Sequence, residues 1–279
     1  YKNSNIIFAT RNLEGNINHK IKETKYKIEI LHSNNINEVI SLIEKHSIDM
    51  IVIDHYKIDK NYEKKLKKKT GVTILSFDDT YEKHFCDILL NHNISANTKK
   101  YKGLVRKDCE LRCGSKYTLL RNEFIEEKEK QKNKPVKVRN KKRIFLSMGG
   151  SDPQCNNIKI LQVLEKFDTI KVNLVTTKSN GNLDLLKKYV KNKSWIKLHI
   201  NSEKIARLMR KSDFAIVTPS VTVNEIYFMG IPFIAIKTAQ NQSDIYTYLK
   251  RKRHFVLSSF NKTKLFKKIQ LIITKIKYD

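Results

Sequence analysis

IFLSMGGSD, residues 144–152, is the stretch that decides the fold of this 279-residue chain. Its first three residues are a short apolar run of the kind found in buried strands. Beyond it, residues 156–167 carry apolar side chains at the spacing of one helix face. The sequence therefore predicts a strand, a glycine-rich turn and a helix in this order.

The turn between this strand and helix has the chemistry of a phosphate site. Gly149 and Gly150 have no side chain to block a ligand, and Ser151 and Asp152 stand where residues cap a helix. Unpaired N–H groups at a helix start, with the helix dipole behind them, attract phosphate. Such turns also occur for purely structural reasons, so a functional interpretation needs a second signal.

Strand and helix patterns alternate along the rest of the chain. The predicted strands are Ile6–Thr10, Ile28–Leu31, Met50–Asp54, Val72–Phe77, Asp87–Leu90, Ile144–Met148, Val172–Thr176, Ile196–His199, Phe214–Val217, Phe233–Ile236 and Phe255–Leu257. Amphipathic helical patterns fall between them, for example at Asn37–Lys45, Asp184–Lys191, Glu203–Lys211, Tyr246–Arg251 and Lys262–Lys275. This alternation predicts parallel sheets covered by helices on both faces.

The charged segment 123–143 divides the chain. It includes Pro135, lacks a core-facing pattern and is predicted to be a domain linker or a solvated helix and loop. We therefore expect two α/β domains, residues 1–122 and 144–279. Two facing domains of this type place their strand carboxyl ends toward a shared cleft, where ligands usually bind.

The first domain opens in an unusual way. The chain begins at Tyr1, and its first predicted strand is followed by RNLEG at residues 11–15 rather than by a phosphate-type turn. A doubly wound domain normally begins with a central strand and a glycine-rich turn. We expect that a strand–loop–helix unit precedes this chain.

The net charge of +28 raises the alternative of a nucleic-acid-binding protein. Lysine supplies 46 of the 56 basic residues, however, and these lysines are spread along the whole chain. Phosphate and base recognition favour the planar arginine fork. A solvated, lysine-rich surface is the favoured interpretation.

Cysteine and hydropathy patterns indicate a cytoplasmic protein. The four cysteines include no Cys-x-x-Cys pair and no histidine partners at zinc spacing, which predicts reduced thiols and no metal. No apolar run approaches the roughly 18 residues that a membrane span requires.

The second phosphate signal is TPSVTVNE at residues 218–225, after a strand-like run. Ser220 or Thr222 can cap the following helix, whose first turn would hold Asn224 and Glu225. The Glu225 carboxylate can accept both hydroxyls of a ribose, while Ser220 and the free N–H groups face phosphate. The alternative is that Glu225 only complements the helix dipole. Two such turns in one domain favour nucleotide binding.

Polar side chains follow other predicted strands, where parallel sheets build their sites. Asn241 and Gln242 carry amides that can hold a sugar or a diphosphate. In the first domain, Asp54, His55 and Tyr56 follow one strand. His55 can serve in acid–base chemistry, although a structural histidine is the favoured interpretation.

Asp78 and Asp79 follow another strand of the first domain. Adjacent residues of an extended chain face opposite ways. We therefore expect at most one of these two carboxylates to line the cleft.

In order and spacing, these motifs resemble the UDP-sugar hydrolases of pseudaminic acid biosynthesis, which are related to the GT-B nucleotide-sugar glycosyltransferases. The matching stretches cover most of the chain and lie at residues 53–56, 71–79, 86–91, 101–104, 112–117, 120–124, 148–152, 220–225 and 241–242. The resemblance implies a GT-B-like α/β fold of two Rossmann-like domains facing a cleft, with UDP bound by the C-terminal domain.

The resemblance also implies a reaction. It is the hydrolysis of UDP-2,4-diacetamido-2,4,6-trideoxy-β-L-altropyranose to UDP and the free sugar, in which water attacks the anomeric carbon with inversion. The family is similar to metal-free GT-B enzymes, so no cofactor and no metal are implied. Helix starts and N–H groups would stabilise the departing diphosphate.

Residue roles follow from the same resemblance. Glu225 would hold the ribose, and Asn241 and Gln242 would hold the diphosphate or the sugar. Tyr56, near Asp54, would contact the sugar close to the attacking water and is the candidate catalytic residue within the chain. Gly149, Gly150, Ser220 and Asn224 belong to the two turns that would stabilise UDP.

The family's catalytic histidine lies in a glycine-rich loop that precedes the equivalent of Tyr1. Neither His19 nor His55 takes its place in the resemblance. We therefore expect UDP binding with weak or absent hydrolysis, either from a fragment of an active enzyme or from a degraded relative.

Two alternatives to hydrolysis remain from the sequence. A GT-B-like UDP-sugar glycosyltransferase would share the donor site and use a sugar acceptor in place of water. The other is the basic nucleic-acid-binding protein, against which the lack of a clustered arginine patch argues. The expected partner is a UDP-sugar, with no specific nucleic acid and no membrane, bound by a monomer.

Overall fold

The computed structural model describes residues 4–14, 16–132 and 140–278, and it divides the chain into two compact units. Unit 1 comprises Tyr1–Leu90 and Thr98–Arg112, and unit 2 comprises Asn91–Asn97 and Cys113–Asp279. Both units are built of parallel strands that alternate with helices.

Unit 1 contains a two-stranded parallel sheet, β1–β2, and a four-stranded sheet in the order β3-β4-β5-β6. Its strands are β1 Ile7–Arg11, β2 Lys27–Leu31, β3 Met50–Ile53, β4 Thr73–Phe77, β5 Ile88–Asn91 and β6 Glu110–Cys113. The boundary with unit 2 falls at the last residues of β5 and β6. Its helices are α1 Asn18–Glu23, α2 Ile36–His46 and α3 Lys60–Thr70.

Unit 2 is built on one six-stranded sheet in the order β12-β11-β10-β7-β8-β9. Its strands are β7 Lys142–Ser147, β8 Ile170–Thr176, β9 Ile196–Ile200, β10 Phe214–Val217, β11 Phe233–Ile236 and β12 Phe255–Leu257. Its helices are α4 Asn122–Lys132, α5 Asn156–Leu164, α6 Leu183–Val190, α7 Ile205–Arg210, α8 Val221–Met229, α9 Ser243–Arg251 and α10 Lys262–Tyr278.

The core of unit 2 follows from the apolar strands themselves. Successive side chains of a strand point to opposite faces. Ile144 and Leu146 of β7 therefore pack in one cluster with α5 and α10, while Phe145 packs in a second cluster on the other face. Every residue of β10 is fully buried, as expected of a central strand covered on both sides.

The strand order of unit 2 reverses between β7 and β10. From β7 the chain continues to β8 and β9 on one side, whereas β10, β11 and β12 add to the other side. Ser147 and Val217, the last residues of β7 and β10, are register partners. The loops that leave these two strands therefore start side by side, at the point where open α/β sheets usually bind ligands.

The structure confirms the α/β character and the predicted parallel strands, to within two residues at each end. It adds β6, whose sequence Glu-Leu-Arg-Cys has no apolar run and which lies at the sheet edge. In the C-terminal half, the helix predicted at 156–167 ends at Leu164.

The division into units differs from the predicted one in the segments 91–97 and 113–143. Residues 122–132 form helix α4, whose Phe124 is fully buried in the second core cluster of unit 2. The first part of the predicted linker is thus a packed helix, because one apolar side chain anchors it among charged ones. The interpretations of residues 11–15 and of the segment 123–143 include Gly15 and Pro135, respectively. These two residues lie outside the described residues.

Candidate active site

Three loops at the carboxyl edge of the unit 2 sheet carry most of the sequence-predicted site residues. We call them the β7 loop (148–155), the β10 loop (218–220) and the β11 loop (237–242). They follow three neighbouring strands of the sheet. The side-chain amide of Gln154 donates a hydrogen bond to the Thr238 carbonyl at 3.4 Å, which links the β7 and β11 loops.

The geometry of the β7 loop favours glycine at positions 149 and 150. Gly149 has φ +85°, a left-handed conformation that side chains disfavour. A Cβ added to Gly150 would lie 3.1 Å from the hydroxyl oxygen of Thr177, and that hydroxyl donates to the Gly150 carbonyl at 3.0 Å. Within the described residues, the N–H groups of Gly149 and Gly150 have no hydrogen-bond acceptor. They are available to an anion.

The start of α5, by contrast, is closed. The helix begins at Asn156, and Asp152 lies four residues earlier with only 3% of its surface exposed. Its carboxylate accepts the N–H groups of Asn156 and Asn157, both at 2.8 Å. Burial raises the pKa of Asp152. The expectation that this helix start offers free N–H groups to phosphate is therefore wrong, because a buried carboxylate already occupies them.

The start of α8 is open. Ser220 occupies the N-cap position as predicted, but its hydroxyl bonds to the hydroxyl of Thr218 at 3.2 Å and makes no cap hydrogen bond. Within the described chain, the N–H groups of Val221 and Thr222 have no acceptor. Val221 is also exposed. Two N–H groups and the dipole of a nine-residue helix therefore remain for an anion.

Glu225 lies in the second turn of α8 rather than in the predicted first turn. The helix dipole acts mainly on the first turn, so complementing it does not account for this carboxylate. The side chain is 17% exposed, and one oxygen lies 3.6 Å from the Arg121 guanidinium. Burial, to which the charge of Glu123 adds, outweighs Arg121 and raises the pKa of Glu225 to about 6. A partly desolvated carboxylate of this kind is a strong acceptor for hydroxyl groups.

Asn224 has a structural role instead of the predicted contact with substrate. Its side chain is 1% exposed. The amide oxygen accepts the N–H of Ile94 at 3.1 Å, and the amide nitrogen donates to the Asn93 side chain at 3.2 Å. Both halves of the amide are therefore used to fix the 91–97 segment against α8.

The two amides of the β11 loop differ in availability. The Gln242 side-chain oxygen accepts the N–H groups of Thr238 at 2.8 Å and Ala239 at 3.3 Å, so this residue shapes its own loop. Asn241 is exposed, and the described structure gives its side chain no hydrogen bond. Of the two predicted amides, Asn241 is the one free to contact a ligand.

In unit 1, the predicted residues lie after β3 and β4. Tyr56 is 84% exposed, and its hydroxyl donates to the Asp79 carboxylate at 3.2 Å. The charge of Asp79 raises the pKa of Tyr56. Asp54 is exposed, and the Nδ1 atom of His55 accepts the Lys57 N–H at 3.1 Å.

Asp78 belongs to a buried charged network that sequence analysis did not find. Glu63 is fully buried and lies 2.8 Å from Nδ1 of His84, whose Nε2 lies 4.0 Å from Asp78. The Tyr101 hydroxyl donates to Asp78 at 2.6 Å. Burial opposes the charged histidine, but its interactions with Asp78 and Glu63 outweigh burial and raise the pKa of His84 to about 9. Asp78 faces the interior and Asp79 faces solvent, as their adjacency predicts.

The described ranges contain neither a cluster of metal ligands nor a helix that could span a membrane. Residues 4–14, 16–132 and 140–278 hold no group of three or more His, Cys, Asp or Glu side chains that could bind a metal ion. In the same part of the chain, every helix is too short or too polar to cross a membrane.

Comparison with known proteins places the chain in a family. It is 39% identical over 253 residues to the UDP-2,4-diacetamido-2,4,6-trideoxy-β-L-altropyranose hydrolase of Campylobacter jejuni, an alignment that covers 91% of this chain and 88% of the other. The chain belongs to this hydrolase family. The chain is also 31% identical over 255 residues to an uncharacterized protein of Methanocaldococcus jannaschii, an alignment that covers 88% of this chain and 51% of that protein.

Solved structures similar to this member of the hydrolase family are GT-B-like. Acinetobacter baumannii MurG superposes with a TM-score of 0.63 at 10% identity and covers 95% of this chain and 81% of its own. The Neisseria meningitidis UDP-GlcNAc 2-epimerase superposes with a TM-score of 0.65 at 12% identity and covers 99% and 84%. No family model matches the sequence. The fold is thus the expected GT-B-like α/β fold with two Rossmann-like domains.

Proposed function

We propose that this protein hydrolyses a UDP-activated 2,4-diacetamido-2,4,6-trideoxy sugar at the anomeric C–O bond, as a step of pseudaminic acid biosynthesis. One observation carries the proposal. The open N–H groups of the β7 loop and of the α8 start directly follow neighbouring strands at the reversal of the sheet, and the partly buried Glu225 lies on α8 itself. The C. jejuni relative supports this choice of substrate.

In this proposal the unit 2 site binds UDP. The N–H groups of Gly149, Gly150, Val221 and Thr222 donate to the diphosphate, and Glu225 accepts the ribose hydroxyls. When water displaces the sugar, the bonding electrons move to the diphosphate oxygen, whose negative charge grows. N–H donors that are already in place stabilise that charge without a metal ion.

The remaining polar groups are assigned to the sugar and the loop. We propose that the exposed Asn241 contacts the diphosphate or the sugar, and that Gln242 keeps the β11 loop in shape. In unit 1, Tyr56 and Asp54 are proposed to contact the sugar, with Asp79 orienting the Tyr56 hydroxyl. We assign the catalytic base to neither His19 nor His55.

We also propose a cytoplasmic, monomeric protein that binds no specific nucleic acid. The four cysteines are free thiols, which persist in a reducing compartment.

Incubation of the chain with the UDP-sugar, in the absence of any acceptor, tests the reaction. The expected products are UDP and free sugar in equal amounts. UDP release that requires an added sugar acceptor would favour the glycosyltransferase alternative. Failure to bind UDP would contradict both alternatives.

A further inference from the structure

Unit 1 contains a pair of thiols that the proposed function does not use. The sulfur atoms of Cys86 and Cys109 lie 3.7 Å apart. Cys86 is fully buried, whereas Cys109 is partly exposed. One sulfur is therefore accessible to a small reagent, and the other is held directly behind it.

The backbone fixes this pair. Cys86 stands two residues before the start of β5, and Cys109 stands immediately before the start of β6. These strands are neighbours in the sheet, and the N–H of Glu110 donates to the Asp87 carbonyl at 2.8 Å. Cys86 and Cys109, which directly precede Asp87 and Glu110 in the sequence, are thus also neighbours. A disulfide needs sulfurs about 2 Å apart, a change that side-chain rotation can supply.

The surroundings make the two sulfurs chemically different. The hydrogen bond from the Cys86 thiol, together with the positive charge of Arg106, lowers the pKa of Cys109. The same contact and burial raise the pKa of Cys86. Arg106 is held in place by Asp108 and, at 3.5 Å, by Asp87. The exposed sulfur of Cys109 therefore ionises more readily than that of Cys86, and as a thiolate it is the attacking nucleophile of the pair.

We propose that Cys86 and Cys109 form a site of reversible oxidation, at which a hydroperoxide converts the Cys109 sulfur to a sulfenic acid and Cys86 then forms a disulfide with it. In the first step the Cys109 thiolate attacks the peroxide, the O–O bond breaks, and hydroxide or an alkoxide leaves. In the second step the Cys86 sulfur displaces the sulfenic oxygen, which leaves as water with the thiol proton. The peroxide is reduced by two electrons, which come from the two sulfurs.

The consequence is protection of Cys109 and a cross-link between two strands. A sulfenic acid with a resolving thiol beside it avoids further, irreversible oxidation. The disulfide would join the starts of β5 and β6 and restrict the unfolded chain, so we expect the oxidised protein to unfold at a higher temperature. A thiol reductant should reverse both effects.

Stoichiometric hydrogen peroxide, followed by alkylation and peptide mapping by mass spectrometry, tests the proposal on the whole chain. The expected product has lost two hydrogen atoms, contains a Cys86–Cys109 peptide pair, and keeps Cys113 and Cys155 alkylated. Oxidation of Cys113 or Cys155 before Cys109, or a protein whose four thiols all stay reduced, would overturn it.

Two variants separate the roles of the sulfurs. In Cys86→Ser, Cys109 should still be oxidised but should be trapped by dimedone as a sulfenic acid. Cys113→Ser, which lies in β6 itself, is the matched control and should form the same disulfide as the unchanged chain. A disulfide in Cys86→Ser, or dimedone labelling equal in both proteins, would contradict the assignment of Cys86 as the resolving thiol.

Discussion

The substitution Glu225→Gln tests the proposed ribose contact most sharply. It keeps the side-chain shape and removes the negative charge. A hydrogen bond to a charged acceptor contributes roughly 1.5–3 kcal/mol, compared with about 0.5–1.5 kcal/mol for a neutral one. With two ribose hydroxyls on one carboxylate, the expected loss is about 2 kcal/mol, or roughly thirtyfold in the Kd for UDP.

The pH dependence of this loss is a stronger test than its size. The pKa of Glu225 is raised to about 6, and only the ionised carboxylate accepts both hydroxyls. At pH 8 nearly all of it is ionised, whereas at pH 5 only about one tenth is, since one pH unit changes the ratio of the two forms tenfold. The advantage of the unchanged protein over Glu225→Gln should therefore shrink from roughly thirtyfold at pH 8 to about threefold at pH 5.

Isothermal titration calorimetry with UDP at both pH values measures this ratio. Protonation of the nucleotide affects both proteins equally and cancels in the comparison. Glu126→Gln, which removes an exposed charge from α4, is the matched control and should bind as the unchanged protein does. An affinity that Glu225→Gln leaves unaltered, or a ratio that is the same at both pH values, would refute the ribose contact.

Three further predictions follow from the geometry. Gly150→Ala places a Cβ 3.1 Å from a threonine hydroxyl and should weaken UDP binding measured by calorimetry. The control Gly181→Ala, whose Cβ meets nothing within 4 Å, should leave binding unchanged. Equal effects of the two substitutions would contradict the role of the β7 loop. The pKa of His84 is raised to about 9, so the charged histidine stabilises the folded state. This contribution to the free energy of unfolding is fully present below pH 6.5 and is lost as the pH rises through 9. Between these pH values the free energy of unfolding, measured with urea, should fall by up to about 3 kcal/mol. If the free energy of unfolding of a His84→Asn variant depended on pH in the same way, the His84 network would be excluded as the source. Asn224→Ala leaves its buried partners unpaired and should lower the free energy of unfolding by about 1–3 kcal/mol. Asn241→Ala should instead weaken UDP binding and leave the free energy of unfolding unchanged. The reverse pattern would contradict both assignments.

The elements that could be predicted from sequence are those whose side chains follow one simple period. Strands β10 and β11 are continuous apolar runs, and their predicted bounds match the structure. β6 could not be predicted, because a four-residue edge strand needs no apolar pattern. The packing of helix α4 against the core could not be predicted for a related reason, since its buried Phe124 stands alone among charged residues and forms no periodic apolar pattern.

The site was predictable in composition and only partly in geometry. The glycine turn, Ser220 and Glu225 lie at the carboxyl edge of the unit 2 sheet, where the alternation of strands and helices places them. The sequence does not reveal which acceptor satisfies a given N–H group. Asp152 closes the start of α5, and Asn224 turns inward to a segment far away in the chain. The Glu63 partner of His84 is likewise distant in sequence, so no local spacing of residues indicates this contact.

The central claim is that the diphosphate binds to the open N–H groups of the β7 loop and of the α8 start. Titration of the ¹⁵N-labelled chain with UDP, followed by amide chemical shifts, tests it directly. The signals of Gly149, Gly150, Val221 and Thr222 should shift and saturate together, while those of Asn156 and Asn157, already bonded to Asp152, should change least. Shifts confined to the start of α5, or none at Gly149 and Val221, would contradict the claim.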